Sequence, residues 1–414
     1  MNETIDSGST AWMLCSSAMV LLMVPGLALF YGGMVRKKNV LSTMMMSFVA
    51  MAVIGVQWVL FGYALAFGKS AGGFIGFDPS LFALAGIEHT KLYPDRGIPE
   101  LVFVMFQGKF AIITPALISG AIAERMRFRS YLVFMLIWTT IVYCPLAHWV
   151  WASDGWLYKM GVLDFAGGTV VHISAGVSAL VLALIIGPRR DVARGHVPLP
   201  NNLVLTLTGA GLLWFGWFGF NAGSAVAVEK PVAGTIAGLA FASTQTAAAS
   251  AALAWMLIEH FHNKKITSLG LASGLVAGLV AITPAAGHVR PAWALVIGVA
   301  ASAVCYWAVQ MKGKLGYDDS LDAFGVHGVG GFLGAILTGV FCFTPVAGAI
   351  SGNFEQLGKQ ALGATVAAVF AGVMTFVIAM GIKAVWGLRV PDDAERDGLD
   401  LLVHGERGYH FDQA

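Results

Sequence analysis

Two histidines carry most of the chemistry this sequence can do. His172 closes the run Asp164-Phe165-Ala166-Gly167-Gly168-Thr169-Val170-Val171-His172, and His327 closes Asp322-Ala323-Phe324-Gly325-Val326-His327. Each follows an acid and opens a long apolar, glycine-rich run. A neutral imidazole offers one donor and one acceptor. Two adjacent rings cannot both be cationic without strong repulsion, which favours an uncharged pair suited to relaying a proton. Two other readings stay open: separately satisfied packing histidines, and bis-histidine haem ligation. Asp164 stands two turns ahead of its histidine, where a carboxylate can cap a helix, hold backbone groups or attract cations. Asp322 reads as its structural twin.

Aromatic residues gather around polar ones in three places: Phe106-Gln107-Gly108-Lys109-Phe110, Trp149-Val150-Trp151, and Trp217-Phe218-Gly219-Phe220-Asn221-Ala222-Gly223-Ser224. The faces of Trp and Phe attract cations by about 0.5–2 kcal/mol, depending on desolvation. The Ser224 hydroxyl adds an acceptor. The competing reading is an aromatic belt at a membrane interface.

The elements that must position these groups are membrane helices. The chain is 57% hydrophobic and 12% charged, with a mean hydropathy of +0.75, whereas soluble domains carry about 25% charged residues. Its apolar runs suit helices crossing a hydrocarbon core of about 30 Å, and no sustained alternation suggests a barrel. A net charge of +2 gives no argument for nucleic acid as a partner. Eleven spans are expected, near 10–31, 40–67, 99–122, 129–150, 165–187, 203–224, 232–260, 267–285, 291–311, 327–345 and 360–387. Segment 68–98 reads as an external, lid-like loop. Cys15, Cys144, Cys305 and Cys342 fall in apolar runs and read as buried free thiols. Met1 to Thr10 lacks a basic stretch, so the first span is expected to stay as a helix rather than be cleaved.

One set of loops carries Arg36, Lys37, Lys38, Arg125, Arg127, Arg129, Arg189, Arg190, Arg194, Lys264, Lys265, Lys312 and Lys314. The other carries only Lys69, Lys91, Arg96, Lys159, Lys230, Arg290 and Lys359. The cation-rich set is expected to be cytoplasmic, with the N-terminus outside and the tail at 388–414 inside. Spans one to five and six to ten form blocks of equal count. Because five is odd, the second block (about 203–345) must run opposite to the first (about 10–187). The histidine units end each block and are expected to meet at the interface of an inverted repeat, with the span at 360–387 bracing the bundle. Glycines such as Gly167, Gly168, Gly176, Gly328, Gly331 and Gly334 suit close helix packing.

These stretches, together with Pro25-Gly26-Leu27-Ala28-Leu29-Phe30-Tyr31-Gly32-Gly33, GAIAERMRF at 120–128, DAFGVHGVGG at 322–331 and GLDLLVHGERGY at 398–409, resemble the ammonium transporter family (Amt/Mep/Rh) over nearly the whole chain, and its Amt branch in particular. The resemblance implies a homotrimer of eleven-helix protomers in the cytoplasmic membrane, each with a narrow pore. It implies that Phe106, Trp151 and Ser224 recruit ammonium outside, with Asp164 in support. It makes Phe110 and Phe220 a phenyl gate, and His172 and His327 the twin histidines of an apolar lumen crossed by ammonia after deprotonation. Through its tail such a protein couples neighbouring protomers and sometimes meets a PII-type signalling protein. Trp217 and Asp322 are further pore-region candidates.

One residue departs from the family pattern. Lys109 replaces a small, apolar or hydroxyl residue close to mid-membrane. It needs either an acid partner or a lowered pKa, or else its ammonium head imitates the substrate and blocks the pore. The last reading would make the chain an ammonium sensor that conducts poorly or not at all; a gas channel is a weaker third reading. No nucleophile, phosphate-loop or metal spacing is visible, so neither an enzyme nor a cofactor is expected.

Overall fold

The computed structural model describes residues 5–226 and 231–409. It is a helical bundle whose elements follow the apolar runs. We number the eleven long apolar helices α1 (Ser7–Met34), α2 (Lys37–Phe67), α3 (Glu100–Ile122), α4 (Phe128–Met160, interrupted at 152–155), α5 (Gly168–Ile186), α6 (Leu203–Gly223), α7 (Pro231–Asn263), α8 (Ser268–Ile282), α9 (Pro291–Lys314), α10 (Phe324–Phe341) and α11 (Phe354–Trp386). Ten of them are long and apolar enough to cross a membrane; α8, at 15 residues, is apolar but shorter. Lys230, one of the expected outer cations, lies outside the described residues, as do the first four residues and the last five of the tail.

The starts of α5 and α10 share one construction. In α5 the Asp164 carboxylate accepts the backbone N–H groups of Gly167 and Gly168 on one oxygen (3.0 and 2.6 Å) and of Thr169 and Val170 on the other (2.9 and 3.0 Å). Those are the first-turn donors that a helix leaves unsatisfied. The turn behind them is π-type, the His172 N–H reaching Gly167 O at 2.9 Å. In α10 the corresponding acid is Asp319, which accepts the N–H groups of Ala323 and Phe324 at 3.0 and 2.7 Å ahead of the π-type turn Phe324–Gly328. The expected twin, Asp322, is displaced from that role: its φ is +62° and its side chain pairs with Lys312. Asp319 precedes His327 by the same interval that separates Asp164 from His172, which is the signal that identifies the true counterpart.

Glycine sets how closely the two histidine helices approach. A Cβ on Gly176 would lie 2.1 Å from Gly328 N, and one on Gly331 would lie 2.9 Å from the His172 Cβ. These backbones therefore touch directly, as small residues allow in membrane bundles. Helix α11 packs across α4, α5 and α10, spanning both halves. Three of the four cysteines are buried as expected, but Cys15 is exposed on the outer face of α1.

On the arginine-rich face a buried ionic network ties the halves together. Glu124 accepts from Arg36 Nε, Arg189 Nη1 and Asn39 Nδ2, each at 2.8 Å. Asp318 accepts from Arg189 Nε at 2.8 Å and Nη2 at 2.9 Å. Burial works against the charged form of Asp318, yet Arg189 outweighs it and holds the carboxyl down at about 2. The tail folds back onto its own chain: Leu399 N–H donates to Asn39 Oδ1 (2.8 Å), Asp400 takes the Ser42 N–H (2.8 Å), and the Tyr409 hydroxyl donates to Asn201 Oδ1 (2.6 Å).

Candidate functional site

A vestibule of about 860 Å³ opens on the face opposite the arginine network. Trp151 and Ser224 line it, together with Glu100, Phe103, Gln107 and Tyr93. The loop expected to act as a lid contributes Lys91 and 93–96 to the rim. It is tied down by His148, whose ring nitrogens sit 2.9 Å from Ala66 O and 2.8 Å from Ser70 Oγ. The indole N–H of Trp151 donates to the backbone carbonyl of Asp164 at 2.9 Å, so the residue whose carboxylate caps α5 also orients this ring through its main chain. Ser224 donates to Phe220 O at 2.8 Å, leaving its oxygen lone pairs free to accept from a cation.

Beneath the vestibule three phenyl rings close the path. Phe106 and Phe110 meet edge-on with centroids 4.9 Å apart, and Phe110 lies 4.2 Å from Phe220. Trp151 abuts Phe110 at 5.9 Å. All three phenyl rings are buried and Phe106 does not line the vestibule, so of the expected recruitment group only Trp151 and Ser224 are on the surface of that cavity. The Asp164 carboxylate is likewise buried, with both oxygens engaged by amides.

Under the rings the two histidines face each other. Their Nδ1 atoms are 3.3 Å apart and the rings are nearly parallel, with centroids 5.3 Å apart. His172 stacks on Trp217 at 5.5 Å and on Phe220 at 6.0 Å, and Trp217 is itself fixed by its indole N–H donating to Thr283 Oγ1 at 2.9 Å. A hydrogen bond between two Nδ1 atoms requires one to donate and one to accept, which uncharged rings can do and two imidazolium rings cannot. The His172 Nε2 is buried and has no hydrogen-bond partner among the described residues. Beside the pair is an enclosed cavity of about 10 Å³, walled by apolar groups such as Leu27, Phe30, Ile113 and Leu117, which is room for the centre of about one water-sized particle. Its chemistry suits a small neutral molecule with an N–H or a lone pair to offer. A bare cation there would give up its hydration for a few weak contacts, at an idealised cost of order 20 kcal/mol.

Lys109 is on another face. Within α3 the residues left partly exposed in its outer half are Leu101, Val102, Met105 and Lys109, and Lys109 lines neither the vestibule nor the histidine cavity. It makes no hydrogen bond or ion pair among the described residues, so the acid partner anticipated for it is not found there either. Asp319 and the vestibule residues Glu100 and Phe103 carry no motif of their own in the sequence, whereas Gln107 falls within the aromatic cluster 106–110; Glu100, Phe103 and Gln107 form the vestibule wall along α3. Their spacing of three and four residues is the helical signal that could have grouped them with Phe106 and Phe110.

The model of the Ammonium Transporter Family matches residues 11–409. An ammonium transporter of Bacillus subtilis is 48% identical, the alignment covering 98% of this chain and 99% of that one. Ammonium transporter Amt1 of Archaeoglobus fulgidus is 42% identical over 98% of this chain and all of its own length. Among solved structures, Saccharomyces cerevisiae Mep2 superposes with a TM-score of 0.86 at 38% identity, covering 95% of this chain and 89% of its own. A structure described as a sensor Amt protein also gives 0.86, at 32% identity, covering 95% and 98%. With a family match over almost its whole length and relatives near half identity, the chain belongs to the ammonium transporter family, a family of membrane transporters rather than enzymes.

Proposed function

We propose that the protein moves ammonium across the cytoplasmic membrane by binding it in the vestibule, taking off its proton, and passing ammonia through the histidine-lined lumen. The observation that carries this reading is the sequence of environments along one path. A wide polar vestibule ends at the Trp151 face and the Ser224 hydroxyl, then a closed phenyl stack, then two facing imidazole rings beside an apolar cavity. Cation–π contact and hydrogen bonding suit ammonium at the first station. Desolvation bars it from the last, and its conjugate base escapes that penalty. Phe110 and Phe220 act as the gate. Asp164 acts through others, orienting Trp151 and capping the helix that carries His172. The proton follows through the histidine pair.

In this reading the vestibule faces outside and the arginine-rich face is cytoplasmic, with the N-terminus out and the tail in. The protomers assemble as a homotrimer, and a PII-type protein is the partner that the tail and the arginine-rich loops would meet. The competing reading, ammonium binding without conduction, keeps one support: the likeness to the sensor Amt structure. Reconstitution separates the two. Proteoliposomes carrying a trapped pH dye are expected to report ammonium entry, and His172→Leu or His327→Leu to slow it at least about tenfold, the loss of roughly 1.4 kcal/mol or more of transition-state stabilisation. Binding with no entry would favour the sensor; entry unchanged by both substitutions would refute the histidine path.

A further inference from the structure

We propose that the vestibule holds a second cation site on Glu100, filled in this structure by the ammonium head of Lys91, and that free ammonium competes with that side chain on its way to Trp151. The inference rests on the vestibule being the side from which ammonium enters. Glu100 begins α3 and is 6% exposed. One carboxylate oxygen accepts from the Tyr63 hydroxyl at 3.1 Å; the other is 2.7 Å from Lys91 Nζ and has no further partner among the described residues. The two residues are set opposite each other by a short antiparallel ladder. Glu100 N–H donates to Lys91 O at 2.8 Å and Tyr93 N–H to Ile98 O at 2.9 Å.

The pair is unequal. The carboxylate is buried and anchored, whereas the Lys91 side chain is 47% exposed and free to swing into water. Holding the contact costs the half-exposed lysine its rotamer freedom, a cost that an untethered cation at the same carboxylate does not carry. A site that holds a primary ammonium accepts ammonium itself, which is smaller, has one more N–H and has no tether.

A second feature points the same way. Phe103 and Gln107 stand one and two turns below Glu100 on α3, and both line the vestibule. Gln107 is 8% exposed, and its side-chain carbonyl oxygen is buried with no hydrogen-bond partner among the described residues. Carboxylate, aromatic ring and amide oxygen thus descend about 10 Å along one helix wall toward Trp151 and Ser224 in the same cavity. Tyr93 stacks on Phe103 with centroids 3.8 Å apart, which keeps that ring in place.

The test is the concentration dependence of ammonium entry into proteoliposomes for wild type, Lys91→Met, Lys91→Arg, Glu100→Gln and Lys91→Met/Glu100→Gln. Lys91→Met removes the competitor and is expected to lower the apparent KM about two- to fivefold, with the maximal rate within about twofold of wild type. Lys91→Arg, which keeps the competing cation, is expected to hold KM at or above the wild-type value. Glu100→Gln is expected to raise KM and, in the double variant, to cancel the gain from Lys91→Met. An unchanged or raised KM in Lys91→Met overturns the proposal, as does a double variant that keeps the full gain. If Glu100→Gln does not fold, the two lysine variants still decide. Wild-type protein that admits no ammonium would sink the transport reading instead, which keeps the two failures apart.

Discussion

Replacing each acid near the histidines by its amide measures which of them hold the pore helices. Asp164→Asn keeps one acceptor oxygen where four backbone N–H groups now share two. Two of those donors lose their acceptor and meet an NH₂ group instead, in a buried site. Each buried donor left unpaired costs about 1–3 kcal/mol, so the loss is about 2–6 kcal/mol. With an unfolding entropy of about 2 cal/mol/K per residue over 414 residues, each kcal/mol lowers Tm by about 1 °C, so Asp164→Asn should lower it by about 2–7 °C. Asp319→Asn strands one of two donors, about 1–3 kcal/mol. Asp322→Asn removes only a part-exposed pair with Lys312, both side chains being between a quarter and a third exposed, worth about 0–1 kcal/mol. Intrinsic tryptophan fluorescence during heating in detergent gives all three midpoints. The order Asp164, then Asp319, then Asp322 is expected. A fall in Asp322→Asn as large as in Asp319→Asn, or none in Asp164→Asn, would refute the assignment of the two caps.

Three further outcomes follow from the same contacts. Lys109→Met should leave ammonium entry within about twofold of wild type, since the side chain lines neither cavity; a rise of about tenfold would restore the blocking idea. Gly176→Ala drives a methyl to within 2.1 Å of Gly328 N, so it should part the histidine helices and abolish entry, read against the yield of folded protein; normal flux would contradict the close packing. The carboxyl of Asp318 is held at about 2 in the fold against 3.8 in its ordinary state. A depressed carboxyl adds stability above the higher value and loses it as pH falls through the lower one. Stability should therefore drop between about pH 4 and 2, and Asp318→Asn should be less stable at pH 7 with a shallower drop in that window, measured by the same thermal scan.

Much of this was legible in the sequence because membrane helices advertise themselves. Runs of apolar residues fix the spans, and two histidines within them stand out against a background that excludes polar groups. The meeting of His172 with His327 follows from equal blocks of helices. What was not legible depends on directions that spacing alone leaves open. Asp322 and Asp319 are both close to His327, and the left-handed backbone at Asp322 decides which carboxylate reaches the amides. Lys109 sits about 60° and 100° around the helix from its phenylalanine neighbours at 100° per residue, and only the packing of α3 against its neighbours shows it on the outward stripe. The vestibule wall at Glu100, Phe103 and Gln107 was hidden because its members look like an ordinary helix face until the loop carrying Lys91 and Tyr93 is folded over them. The ionic network of Glu124 and Arg189 draws on loops far apart in the chain and has no local signature.

Solid-supported membrane recording of the reconstituted protein, with ammonium and potassium jumps of equal size, tests most directly whether only a cation that can shed its proton gets through. Ammonium should evoke a protein-dependent signal, with the pH dye reporting ammonia entry under the same gradient, and potassium should evoke none. A potassium current comparable to that for ammonium would mean that an intact ion crosses between His172 and His327, and the account would be wrong.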